Sequence, residues 1–278
     1  MSRKVNLNAY FERIGFAGSI AATLPTLELL HALHPATIPF ENLDPLLGLP
    51  VRLDQDSLER KLLAGRRGGY CFEHNTLLMS VLRELDFSVR GLAARVVRMD
   101  PEAIARPATH MVLAVDIGGT TYLADVGFGG LSLTAPLKLR ADIEQATPHE
   151  TFRLTGGAPD WQLEVKLDED WQALYVFTLD EQQDADYAAA NALVSGDPSS
   201  KFTRELGVAL SPGGQRITLA GNRLTVRNKD EAPVVRRLET VAALRETLVT
   251  IFGIDLPDAA LLDPALERVL DHAPRQDG

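Results

Sequence analysis

The chain has 278 residues, 45% of them hydrophobic, with 28 Lys and Arg against 38 Asp and Glu and a formal net charge of -10. That length holds one large domain or two to three small ones with ample core, and an acidic chain with no Lys or Arg run longer than a pair argues against nucleic acid or an anionic membrane as partner. One cysteine excludes an internal disulfide and a cysteine-rich zinc site, so small molecules are the expected partners and no metal is expected.

The first residues, Met1 to Asn8, contain no apolar signal core, and no stretch reaches the roughly 18 apolar residues of a membrane span, so a cytoplasmic location is expected. From residue 7 to 86 apolar residues recur at helical steps, as in Leu7-Tyr10-Phe11-Ile14 and Leu27-Leu29-Leu30-Leu33, which predicts a helical bundle. Between Thr37 and Pro45 two prolines predict an extended loop, where Phe40 either plugs the core or lines a pocket. Asp56-Ser57-Leu58-Glu59 has the form of an acidic N-cap, and the helix it opens is expected to stop at Gly65.

The stretch Arg66 to Asn75 holds the cysteine. Gly68 and Gly69 admit backbone conformations closed to other residues, and the run from Asn75 to Leu85 has helical spacing, so Cys71 falls at a helix N-terminus. Unpaired N–H groups and the positive end of the helix dipole favour a thiolate there. Cys71 also shares a helix face with Asn75, Leu78, Leu82 and Leu85, so a small apolar group buried at the head of a core stripe accounts for it equally well. A nucleophile additionally needs a His and a carboxylate within reach.

After residue 86 the period becomes two. Strands are predicted at 88–98, 109–115 and 121–126, the last two joined through Gly118-Gly119. With those glycines as the central pair, Asp125 lies opposite Val112 and His110 is one diagonal step away, their Cβ atoms ~7 Å apart or less. A one-residue slip or a bulge would put them on opposite faces. Gly127-Phe128-Gly129-Gly130 lacks the lysine of a phosphate-binding loop and reads as a turn. Strands at 151–155, 161–167 and 171–179 suggest a meander or barrel, and residues 181–200 turn polar. The tail adds strands at 215–220 and 223–227 and helices at 237–252 and 258–271. Cys71, His110 and Asp125 then make a nucleophile, a base and a group that orients the base, with His74, three residues after the cysteine, a rival base. His31, His34, His149 and His272 are expected at the surface.

Five segments carry a resemblance: Ile38-Pro39-Phe40-Glu41-Asn42, Arg67 to Asn75, Thr109-His110-Met111, Asp125 to Gly129, and Phe252-Gly253-Ile254. In that order they resemble the arylamine N-acetyltransferases. The resemblance implies an α+β fold with a cysteine-protease-like Cys71-His110-Asp125 triad. Its parts would be a helical bundle over 1–86 carrying the nucleophile, an antiparallel β-barrel over 87–186 carrying His and Asp, an interdomain linker over 187–205, and an α/β lid over 206–278. It also implies acetyl-CoA as donor and arylamines, arylhydrazines or N-hydroxyarylamines as acceptors, in a ping-pong reaction through an acetyl-Cys71 thioester typical of xenobiotic metabolism. Phe40, Val96, Phe128 and Phe202 would wall the acceptor site, Thr109 and Gly129 would contact the donor, and the chain would be a monomer or homodimer. Two other classes compete: a cysteine peptidase or transglutaminase-like enzyme using the same triad on amides, and a binding module with no acyl transfer.

Overall fold

The computed structural model describes residues 4–229 and 231–272. Helix α1 (Leu7–Ile14) is capped by Asn6, whose side chain accepts the Ala9 N–H. Helix α2 (Leu24–Thr37) runs through Pro35, where a stop was expected, and ends two residues later. The expected loop after it contains a two-residue strand, β1 (Phe40–Glu41), and a short helix, α3 (Leu43–Leu46). Helix α4 (Gln55–Leu58) is capped by Asp54 and not by Asp56, because the Asp54 carboxylate is the one that reaches the Ser57 N–H. A π-helical turn, Glu59–Ala64, carries the chain to Gly65, and α5 (Cys71–Glu84) begins at the cysteine.

Strands β2 (Ser88–Val96), β3 (His110–Ile117), β4 (Thr120–Ala124), β5 (Leu137–Lys138), β6 (Glu144–Ala146), β7 (Thr151–Gly157), β8 (Asp160–Leu167) and β9 (Asp170–Glu181) form one antiparallel sheet. Their order is β5-β4-β3-β2-β9-β8-β7-β6. The two edge strands are tied by one side chain: the Gln145 amide accepts the Lys138 N–H at 2.8 Å and donates to the Lys138 carbonyl at 3.0 Å. The sheet is thereby a nearly closed barrel. Val112 and Ala114 of β3 pack into its interior with Leu92, Phe152, Leu163 and Phe177, whereas Met111, Leu113 and Val115 pack outward with Leu78 and Leu82 of α5. Both faces of β3 are buried, which is why it reads as an unbroken apolar run.

Helix α6 (Asp184–Gly196) and helix α7 (Lys201–Arg204) occupy the stretch expected as a linker. Tyr187, Asn191 and Val194 form a buried stripe on α6. Asn191 binds the Tyr70 hydroxyl through its side-chain oxygen and donates to the Val51 carbonyl at 3.0 Å, fixing α6 against the N-terminal helices.

The remaining strands are β10 (Gly207–Leu210), β11 (Gln215–Ala220), β12 (Arg223–Asn228) and β13 (Val234–Arg237), followed by α8 (Val241–Thr250) and α9 (Ala259–Asp271). The second sheet runs β1-β10-β11-β12-β13, so its first strand comes from the N-terminal half. Its core likewise includes Leu43 and Leu46 of α3 beside Leu219, Leu244, Phe252 and Leu266. Asn42 fastens this junction, donating to the Phe202 and Glu205 carbonyls and accepting the Gly207 N–H, each at 2.7 Å. Among the described residues no helix is long and apolar enough to cross a membrane.

Candidate active site

Cys71 opens α5 and is buried, 4% exposed. The glycines before it serve close approach, since neither adopts a positive φ. A Cβ on Gly68 would lie 1.9 Å from the Pro39 carbonyl oxygen, and one on Gly69 would lie 2.7 Å from Glu73 Oε2. This tight packing lets the Glu41 N–H reach the Gly69 carbonyl at 2.7 Å, setting the cysteine loop beside β1. Glu73 accepts the Tyr70 N–H through Oε2 at 3.1 Å, which satisfies a donor ahead of the helix, and pairs with Lys61 through Oε1 at 2.7 Å. Lys61 also pairs with Asp44 at 2.6 Å, and Arg67 grips Glu41 at 2.7 Å and Asp44 at 2.8 Å. Burial opposes the charges on Lys61 and Arg67, but these carboxylates outweigh it and hold both cations firmly protonated. Burial lifts Glu73 to about 7 against the pull of Lys61.

The hairpin pairs Leu113 with Ala124 and Ile117 with Thr120, the expected register. His110 Nε2 lies 2.7 Å from Asp125 Oδ2, with both residues buried. The other carboxylate oxygen accepts from Asn75 Nδ2 and from the Gly127 N–H, each at 2.9 Å. Asn75 also donates to the Met111 carbonyl at 2.7 Å and accepts the Val126 N–H at 3.1 Å, joining α5 to the ends of β3 and β4. Burial penalises the imidazolium of His110, but the Asp125 charge and hydrogen bond, with a further bond to the Cys71 side chain, raise it to about 10. Burial likewise penalises the Asp125 carboxylate, yet His110, Asn75 and the Gly127 N–H hold it below the usual range. The sulfur also lies 3.8 Å from the Thr109 carbonyl oxygen. A Cβ on Gly127 would come within 2.9 Å of the Cys71 Cα, so the loop after Asp125 rests directly on the head of α5. The His110–Asp125 pair thus stands at the head of α5, where the His110 ring also interacts with the Cys71 side chain.

His74 is occupied elsewhere. Its Nδ1 meets His34 Nε2 at 2.8 Å, its Nε2 faces the Pro39 carbonyl at 3.2 Å, and the Tyr10 hydroxyl meets His34 Nδ1 at 2.8 Å. The ring is fully buried, and burial lowers it to about 4, so it is neither a solvated helical His nor free to face the sulfur. His31 and His34 are buried too, against the expected surface placement: α2 continues past Pro35 and turns both rings inward. His149 is half-buried, bridging Thr134 at 3.0 Å to the Pro212 and Gln215 carbonyls at 3.0 and 2.9 Å, whereas His272 is exposed.

A cleft of ≈ 490 Å³ opens between the barrel and the second sheet, with Phe40, Phe128, Phe202 and Gly129 in its lining. Phe128 also meets the His110 ring edge-on at 5.2 Å, so the cleft adjoins the buried His110–Asp125 pair. Val96 lies outside this lining, half-buried at the end of β2 opposite Tyr175, and Thr109 approaches the sulfur through its carbonyl. The cleft also carries Arg98, Lys201, Arg223 and Arg227, cations that sequence reasoning did not single out because they are dispersed along the chain. Asn75 and His31 were missed as well: each acts through contacts distant in sequence.

A family model described as N-acetyltransferase matches residues 23–261. The arylamine N-acetyltransferase of Escherichia coli is 43% identical over 91% of this chain and 90% of its own. The Salmonella typhimurium arylamine N-acetyltransferase / N-hydroxyarylamine O-acetyltransferase is 40% identical over 91% of this chain and 90% of its own. The structure of Mycobacterium marinum arylamine N-acetyltransferase in complex with CoA superposes with a TM-score of 0.90 at 38% identity, covering 95% of this chain and 99% of that one. On matches that span nearly the whole fold, the chain belongs to the arylamine N-acetyltransferase family.

Proposed function

We propose that this protein transfers the acetyl group of acetyl-CoA to arylamines, arylhydrazines or N-hydroxyarylamines through an acetyl-Cys71 thioester. The observation that carries the reading is the 2.7 Å His110–Asp125 bond beside the only cysteine, at the head of a helix. The thiol proton passes to His110, whose charge Asp125 sustains, and the Cys71 thiolate attacks the thioester carbonyl. Its oxyanion gains from the N–H groups at the head of α5. The carbon–sulfur bond to CoA then breaks, CoA leaves as its thiol with a proton from His110, and the acetyl group stays on Cys71. In the second half the acceptor attacks that carbonyl, His110 removes its proton, and the thiolate departs. Burial of Cys71 keeps water from the thioester, which favours transfer over hydrolysis.

The complex of the M. marinum relative with CoA supports the donor, and the name of the S. typhimurium relative supports N-hydroxyarylamines among the acceptors. Phe40, Phe128 and Phe202 suit the acceptor ring, and Arg98, Lys201, Arg223 and Arg227 supply cations for the CoA phosphates in a chain that is acidic overall. In this reading the bundle, residues 1–86, brings the nucleophile, the barrel, residues 87–186, brings His110 and Asp125, and residues 206–278 act as a lid over the cleft. The test is to incubate the protein with acetyl-CoA and no amine and weigh it intact. One acetyl group is expected on the wild type and none on Cys71→Ala; an unmodified wild type, or equal modification of both, would sink the proposal.

A further inference from the structure

Asp125 is held on four sides, and the fourth contact comes from an unexpected place. Its side chain meets His110, Asn75 and the Gly127 N–H, but its own N–H donates to His31 Nε2 on α2 at 3.0 Å. The pairing of β4 with β3 ends at Ala124, so the ladder supplies no carbonyl for the next residue, and a buried N–H left without an acceptor is costly.

We propose that His31 is a positioning residue of the acyl-transfer reaction: its neutral ring accepts the Asp125 N–H and fixes the carboxylate against His110. This inference rests on the reading of Cys71, His110 and Asp125 given above. An imidazole accepts at Nε2 only when its proton sits on Nδ1, so the contact specifies both the tautomer and the charge of His31. The surroundings agree. The ring is fully buried, and burial lowers it to about 4 despite the nearby Asp125 carboxylate. Pro35, four residues on, has no N–H to give the His31 carbonyl, so the helix ladder is open beside the ring. Among the described residues Nδ1 has no hydrogen-bond partner, so the anchor of the ring is the Asp125 N–H at Nε2.

The same helix reaches the nucleophile's helix. His34, one turn further along α2, meets His74 of α5 at 2.8 Å, three residues after Cys71. Helix α2 therefore spans the strand end that bears Asp125 and the helix that bears Cys71. His31 is the contact that fixes the main chain of Asp125, and errors of ~1 Å in such positioning cost up to about 100-fold in rate.

The test follows Cys71 alkylation by iodoacetamide across pH in the folded full chain, comparing wild type with His31→Gln, His31→Leu and Asp125→Asn. Gln keeps an acceptor at a similar reach, and Leu removes it at a similar volume. Loss of the acceptor should slow alkylation at pH 7 about ten-fold and move its acid limb up by about one pH unit, while Gln restores most of the wild-type profile. If His31→Leu does not fold, His31→Met carries the same comparison. A wild-type profile in the Leu or Met variant overturns the proposal, as does a Gln variant as defective as Leu, which would mark a packing role only. Asp125→Asn separates the two levels. If it shifts the profile and the His31 variants do not, the positioning role alone fails; if it leaves the profile unmoved, the triad reading fails with it.

Discussion

Asn75 Nδ2 donates to Asp125 Oδ1 at 2.9 Å while the same amide holds the Met111 carbonyl and the Val126 N–H. Replacing it with leucine keeps the volume and strands those two backbone groups in a buried site. The expected loss is roughly 2–4 kcal/mol of stability, read by urea unfolding. The acetyl-Cys71 formation rate should fall about ten-fold or more in molecules that remain folded, because Asp125 loses a donor.

Asp125→Asn tests the electrostatics of the pair. The carboxylate holds His110 at about 10, so without it burial wins and the ring falls below its ordinary value near 6.5. Nitrogen-edge NMR should find His110 protonated at pH 8 in the wild type and neutral in the variant. The sign for stability follows: a raised base stabilises the fold fully below about 6.5, and that contribution is lost as pH rises through about 10. The substitution should therefore cost more stability at pH 6 than at pH 10, as measured by thermal unfolding.

His31 and His74 titrate in the opposite sense. Burial lowers each to about 4, and His34 is driven below its ordinary range as well. The unfolded chain takes up protons near 6.5 while the folded chain refuses them, so stability is intact above about 6.5 and is lost as pH falls towards about 4. His31 and His74 each contribute roughly 3 kcal/mol to that loss, and His34 acts in the same direction. Urea midpoints between pH 7 and 4.5 should fall steeply in the wild type and less steeply in His74→Gln.

Charge reversal in the cleft should act on the donor. Lys201→Glu and Arg223→Glu are expected to raise the KM for acetyl-CoA about five-fold or more, with a smaller effect in high salt and little change in kcat. Equal KM values at low ionic strength would place the CoA phosphates elsewhere.

Arg67 ties Glu41 and Asp44 together beneath the cysteine loop. Arg67→Met leaves two carboxylates short of a partner in a largely buried site, at an expected 3–5 kcal/mol. Denaturant unfolding measures it.

Much of this was legible in the sequence wherever the signal was local. The Gly118-Gly119 turn fixed the β3–β4 register, and that register alone put His110 and Asp125 on one face. Contacts between distant segments left no such mark. His31 and Asp125 are 94 positions apart, and a histidine ahead of a proline resembles a helix end until tertiary packing carries the helix on. Polar composition hid α6, although Tyr187, Asn191 and Val194 do have helical spacing; a buried asparagine breaks an apolar stripe without breaking the helix. The glycines before Cys71 were rightly marked as special for the wrong reason: the constraint is the nearness of Pro39 and Glu73, which a single sequence does not display.

Strand β1 has β10 on one side and the Gly69 bridge on the other, which imposes an order on assembly. Synthesis runs from the N-terminus, so β1 and the cysteine loop leave the ribosome long before residues 207–210 arrive to pair with them. Throughout that interval one edge of the strand that braces the cysteine loop is open. The brace of the cysteine loop is completed only when the final quarter of the chain arrives, and a truncated product ending before β10 carries the cysteine loop with that edge of β1 unpaired.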